Sequence, residues 1–180
     1  MHALNDVLRF WFHDLRERDW WEKNPFVDQQ VARRFLPLHD RLHREASPHA
    51  YVTAEQKLAA VITLDQFPRH LFRGDPRSFA SDPVALSIAL RAVDDGFDRQ
   101  LDVRRRRFLY LPLEHSEDRK VQERSVKLFA NLDDTEALDY AIQHQVIIDR
   151  FGRFPHRNAV LGRKSTKDEI VFLKGPKSSF

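Results

Sequence analysis

The feature that most constrains this chain is the helical spacing of its apolar residues. They recur at three- and four-residue intervals in almost every long segment, and nowhere alternate along a β-branched run. The pattern predicts an all-α fold. At 180 residues the chain fits one domain, 1–180, able to bury roughly 70% of its unfolded surface around one core. Fourteen phenylalanines predict an aromatic core.

A first helix is predicted over 4–15, with Val7, Leu8, Trp11 and Leu15 on one face. A second runs over 26–46, where Pro37 lacks an N–H donor and should kink or divide it. Thr53 and Gln56 form a capping-box pattern that opens a third. Asp82 and Pro83 read as a cap and a first-turn proline for 83–95, closed by Gly96, and a short helix is expected over 102–110. Ser116 and Thr135 read as caps of the next two helices, and a last one begins at Ser165 or Thr166. Short connections predict antiparallel helical hairpins. LDQFPRH at 64–70 echoes IDRFGRF at 148–154 at two helix ends, as in stacked hairpins of a superhelical repeat.

Cysteine is absent, which removes disulfides, thiolate nucleophiles and Cys-ligated zinc. No secretory pattern and no run of about 18 apolar residues occurs, so a soluble, cytoplasmic protein with no membrane partner is expected. The net charge is +3 and the pI about 9.3, too small an excess to choose a partner. The RRRR run at 104–107 points in four directions on a helix and reads as a solvated face, so nucleic acid is not the expected partner.

Function is expected where charge meets apolar faces. Asp65 lies on the apolar side of the third helix and needs a partner, with Arg69 at i+4 and Arg73 a turn further. Asp149 and Arg153 repeat the spacing, with Ile142 and Val146 on the same flank. His144 falls in the inward stripe of its helix, as a hydrogen-bonded core histidine would. His115 and Glu117 bracket Ser116. With His144 they match no metal-ligand spacing, and no metal is expected.

The densest polar stretch is RFGRFPHRNAVLGRKST, residues 150–166. Pro155 can open a short helix whose first turn holds His156, Arg157 and Asn158, with Arg150, Arg153 and Arg163 around it. That combination suits an anion. The competing account is internal: Asp65, Asp149, Glu117, Asp168 and Glu169 could neutralise these arginines in a structural network.

Taken in order, VLRFWF, WWEKNPFVDQQVARRF, LDQFPRHLFRG, FLYLPLEHSED, QERSVKLF, HQVIIDRFGRFPHRNAVLGRKST and the terminal SSF resemble a bacterial family known as domain of unknown function 924. The resemblance implies an all-helical fold similar to tetratricopeptide-repeat proteins and implies no activity. Positions matching its motifs are Asp65, Gln66, Arg69, Arg73, Gly74, His115, Ser116, Glu117, His144, Arg150, Arg153, His156, Arg157, Asn158 and Arg163. The chain departs from the pattern at His70, where the family has Asn, at Glu114, where it has Met, and at Gln145, where it has Arg.

Two function classes follow. One is binding of a small anionic molecule or acidic peptide through the Arg/His cluster. The other is a hydrolase- or transferase-like enzyme in which His115, His144 or His156, with Glu117, supplies general acid or base to a phosphate- or carboxylate-bearing substrate. No cofactor is implied.

Overall fold

The computed structural model describes residues 2–45, 47 and 49–178. The predicted end of the second helix at Ala46 and the last two residues of the SSF motif lie outside this set. Among the described residues every regular element is helical. None of the helices is long and apolar enough to cross a membrane.

Helix α1 (His2–Arg9) runs into a π-helical turn, Phe10–Asp14, burying Val7, Leu8, Phe10 and Trp11. Helix α2 is unbroken over Pro25–Glu45. The expected division at Pro37 does not occur, because Pro37 lies on the exposed side, where water can take the Arg33 carbonyl left without its donor. The Thr53 cap opens α3 (Ala54–Val61), with the Thr53 hydroxyl accepting from the Gln56 N–H.

A second π-helical turn, Ile62–Gln66, joins α3 to α4 (Phe67–Leu71). LDQFPRH, 64–70, therefore forms the C-terminal end of a continuous helical run that stops at Leu71, as its sequence position predicts. Pro68 removes the N–H that would bond the Leu64 carbonyl, and the buried Ser81 hydroxyl donates to that oxygen instead, at 2.6 Å. A buried carbonyl left unpaired costs roughly 1–3 kcal/mol, so this one contact lets proline sit in a core helix.

Helix α5 spans Asp82–Asp94, α6 Val103–Glu114, α7 Arg119–Phe129, α8 Thr135–Phe151 and α9 Lys167–Phe172. Gly96 follows α5 at φ 72°, the left-handed geometry expected of a closing glycine. Three predicted caps shift to neighbouring residues. Asp118 rather than Ser116 accepts the first N–H groups of α7, Asp134 rather than Thr135 caps α8, and Asp82 is inside α5 with its carboxylate turned to Arg69. In the first two cases an aspartate one or two residues away makes the better acceptor. Thr166 caps α9 in a full capping box with Glu169.

Helix α1 packs on α3, α2 on α4, α3 on α5, α5 on α6, α6 on α7 and α7 on α8, while α6 also meets α3 and α8. The core holds the aromatic cluster that the phenylalanine content predicts: Trp11 lies edge-on to Phe67 and Phe108, and Trp20 packs on Phe108 at 4.8 Å. The C-terminal end of α6 is fixed from α7, where the fully buried Gln122 amide donates to the carbonyls of Glu114 and Ser116 at 2.6 and 2.7 Å. That contact sets the positions of Glu114 and His115.

Candidate functional site

The π-helical turn places Asp65 and Gln66 on the buried side of the helix. Asp65 is completely buried, and its carboxylate has three neighbours. His115 Nδ1 lies at 2.8 Å, Arg69 Nη1 at 3.6 Å, and the Gln66 amide donates to it. Arg69 Nη1 also donates to the Asp65 carbonyl. Burial works against the charge, but the Arg69 and His115 neighbours outweigh it and hold Asp65 well below the usual carboxylate range. An ionised carboxylate only accepts, so His115 Nδ1 carries the hydrogen. Burial lowers the His115 pKa against the pull of Asp65, leaving a neutral ring whose Nε2 presents a lone pair.

Arg69 continues to Asp82, fork to fork at 3.1 Å for both contacts. Asp82 is shared with Arg157, whose Nη1 lies 3.3 Å away. Arg157 is 7% exposed and lies over the rings of Phe79 and Phe154, with its Cζ 4.6 and 4.8 Å from the two ring centres. Its Nε has no partner. Burial and the neighbouring Arg69 push its pKa down to about 10, the mark of an under-neutralised guanidinium.

These groups open on a cavity of ≈ 680 Å³ bounded by α4, α6, α8 and the 155–160 segment. Arg69, Arg73, His115, His144, His156 and Arg157 are on its wall, with the aromatic rings of Trp20, Trp21, Phe79 and Tyr140. Trp21 and Tyr140 are also solvent-exposed, which puts them at the mouth. His144 Nδ1 donates to the Tyr140 carbonyl at 2.8 Å, and burial holds its pKa down to about 3. His156 is likewise lowered to about 4, first by burial and then by Arg157. Glu114, 4% exposed, faces His144 Nδ1 at 3.1 Å. Burial raises its pKa to about 8, so the two groups meet as neutral partners rather than as an ion pair.

The cavity thus gathers Arg69, Arg73, His115, His144, His156 and Arg157 from four segments, with Asp65 buried behind its wall against His115 and Arg69. It does not gather the rest. Arg163 grips Glu117 bidentately at 2.7 and 2.9 Å, and Glu117 also accepts the Phe154 N–H. Arg153 does the same with Glu169 at 2.6 and 2.8 Å, and the Asn158 amide donates to Ser165 and Glu169. These contacts form a clasp that ties the 152–166 loop to α9 and the α7 entry. Asp149 and Arg150 lie on the exposed flank of α8 with Ile142 and Val146, Arg150 over the Phe151 ring. Asp149 has no i+4 partner in Arg153, so the echo of the Asp65–Arg69 pair is one of sequence alone. Arg73 pairs with Asp28, which also holds His70 Nδ1 at 2.8 Å.

Sequence reasoning missed Asp82, Gln122 and Asp28, all partners from distant segments that no local spacing encodes. Among the described residues no group of three or more His, Asp and Glu is arranged to hold a metal ion.

A family model described as "Bacterial protein of unknown function (DUF924)" matches residues 7–177. Among solved structures, a protein of unknown function from Agrobacterium tumefaciens, ATU0120, is 35% identical; the match covers 97% of this chain and 98% of that one, with a TM-score of 0.90. No curated protein matches. The chain therefore belongs to the DUF924 family of bacterial proteins of unknown function.

Proposed function

We propose that the cavity binds a small anionic molecule, with Arg157 as its anchor and Arg69 beside it. One observation carries this reading: a guanidinium buried at a cavity wall shares its single carboxylate with a second arginine and leaves its Nε unmatched. Burying a charge so incompletely paired is unfavourable, and an incoming carboxylate or phosphate supplies the missing acceptor. The aromatic wall favours a ligand with an apolar or planar body, and an acidic peptide fits by its terminal carboxylate.

Thermal unfolding against inorganic phosphate, phenyl phosphate, benzoate and short acidic peptides tests this. At about 100 times its Kd a bound anion adds about 2.7 kcal/mol to wild-type stability. Arg157→Met keeps an unbranched stem between Phe79 and Phe154 and is expected to abolish the gain. An equal gain in the variant would place the anion elsewhere, and no gain with any compound would contradict the reading.

A second reading, hydrolase- or transferase-like, is favoured by the Asp65–His115 pair. A buried carboxylate orients a neutral histidine at the wall of an anion-binding cavity, the arrangement of a general base and its positioning group. Turnover of a phosphate or carboxylate ester by the wild type is then expected to fall about 10²- to 10⁴-fold in His115→Gln while benzoate affinity changes little. Unchanged turnover in the variant would remove His115 from the chemistry.

A further inference from the structure

Glu114 is an unusual wall for an anion site. It is the last residue of α6, where the helix dipole presents its negative end, and the neighbouring charge across the cavity wall is the ionised Asp65. No arginine or lysine pairs with it among the described residues. The nearest cation bearing on it is Arg107 on α6, which is itself engaged by Asp134 at 3.4 Å. From α8 it meets the neutral His144 ring, from α7 the Gln122 amide is spent on its backbone carbonyl, and its sequence neighbour His115 is committed to Asp65. Arg107, itself engaged by Asp134, offsets only part of the cost of burying a Glu114 carboxylate.

We propose that Glu114 serves the cavity as an un-ionised acid whose O–H donates a hydrogen bond to the bound anion, so that ligand and proton are held together. This rests on the anion-binding reading and assigns a specificity-determining residue to it. Glu114 Oε1 lies 3.1 Å from His144 Nδ1, but the hydrogen on that nitrogen is donated to the Tyr140 carbonyl at 2.8 Å, so this N–H is spent and does not support a Glu114 carboxylate. Burial raises Glu114 far enough for this form to dominate at neutral pH, while Asp65, against the arginine, stays ionised. Two buried carboxyl groups with opposite protonation states, Glu114 on the cavity wall and Asp65 behind it, divide the work: Asp65 orients His115 and Glu114 donates to the ligand. The ligand class that results is one carrying an acceptor-rich anion, a carboxylate or phosphate, since both Arg157 and Glu114 offer donors.

Protons and ligand are then linked. As pH rises past the Glu114 titration the donor is lost and a like charge appears, so affinity falls by up to tenfold per pH unit.

Calorimetric titration with benzoate, whose charge is constant between about pH 6 and about pH 9, tests the coupling in wild type, Glu114→Gln and Glu114→Met. The expected wild-type affinity drops about tenfold between about pH 7 and about pH 9, given a titration near 8. Glu114→Gln, whose amide donates at every pH, should bind with a flat profile near the wild-type value at low pH, and Glu114→Met should bind several-fold more weakly, also flat. A wild-type profile that is flat, or one that Glu114→Gln reproduces, overturns the role of Glu114 and leaves the anion site standing. A wild type that binds benzoate at no pH, with Arg157→Met indistinguishable from it, overturns the anion site and this inference together.

Discussion

Asp65→Asn is expected to destabilise the protein by about 3–5 kcal/mol, the usual result of removing one partner from a buried ion pair. The substitution keeps the volume and one acceptor for His115 Nδ1–H, but it withdraws the charge that faces Arg69 from a completely buried position. Arg69 then retains only Asp82, which it must share with Arg157. At 2–4 °C per kcal/mol for a chain of this size, thermal unfolding should show a loss of roughly 6–20 °C. Asp149→Asn is the control. It sits on the exposed flank of α8 at the echoed position, and a change within about 0.5 kcal/mol is expected there. Equal effects at both positions would mean that the Asp65 node carries no buried charge.

Glu114→Gln is expected to do the reverse, and only at the upper end of the pH range. In the unfolded chain this group ionises near 4.5, in the folded one near 8. Between those values unfolding releases a proton that the fold retains. The stability tied to Glu114 is therefore intact below about pH 4.5 and is lost as pH rises to about 8, at about 1.4 kcal/mol per pH unit. Near neutrality the penalty is about 3 kcal/mol, and the glutamine variant, which never ionises, escapes it. Its melting temperature should exceed the wild type's by roughly 6–12 °C at about pH 7 and converge on it near pH 5.

The histidines act from the other side. His144 and His156 are held neutral, with pKa values of about 3 and about 4 against 6.5 in the unfolded chain. Their contribution is present above about pH 6.5 and is lost on acidification. A stability difference between wild type and Glu114→Gln that is the same at pH 5 and pH 8 would contradict the neutral form of Glu114.

Helices were readable because each announces itself locally. Thr53, Thr166 and Gly96 do at their helix ends what their positions predict, and the inward stripe of α8 does bury His144. Where a cap was misplaced, at Ser116 and Thr135, a stronger acceptor stood nearby. The helical phase also showed that Asp65 needed a partner, and Arg69 is one of them. The second partner, His115, is 50 residues away in sequence and reaches Asp65 only because α6 packs on the α3–α4 run. Periodicity carries no such register.

The arginine-rich loop shows the opposite problem. RFGRFPHRN reads as one anion site, yet its three arginines part: Arg150 stays on the exposed flank of α8, Arg153 with Glu169 clasps the C-terminal helix, and Arg157 turns into the cavity. Composition could not separate them, since the choice depends on which carboxylates the tertiary fold brings within reach. Of the two accounts, the internal network describes Arg153 and Arg163, and the ligand site is the one proposed for Arg157.

The most direct test of the anion site is a crystal structure of the protein soaked with benzoate and, separately, phenyl phosphate. The expected result is the anionic head within hydrogen-bond distance of Arg157 and Glu114 and the ring among the aromatic side chains of the cavity. An anion seated instead at Arg150 on the exposed flank of α8, or against the Arg153 and Arg163 clasp with the cavity filled only by water, would contradict it.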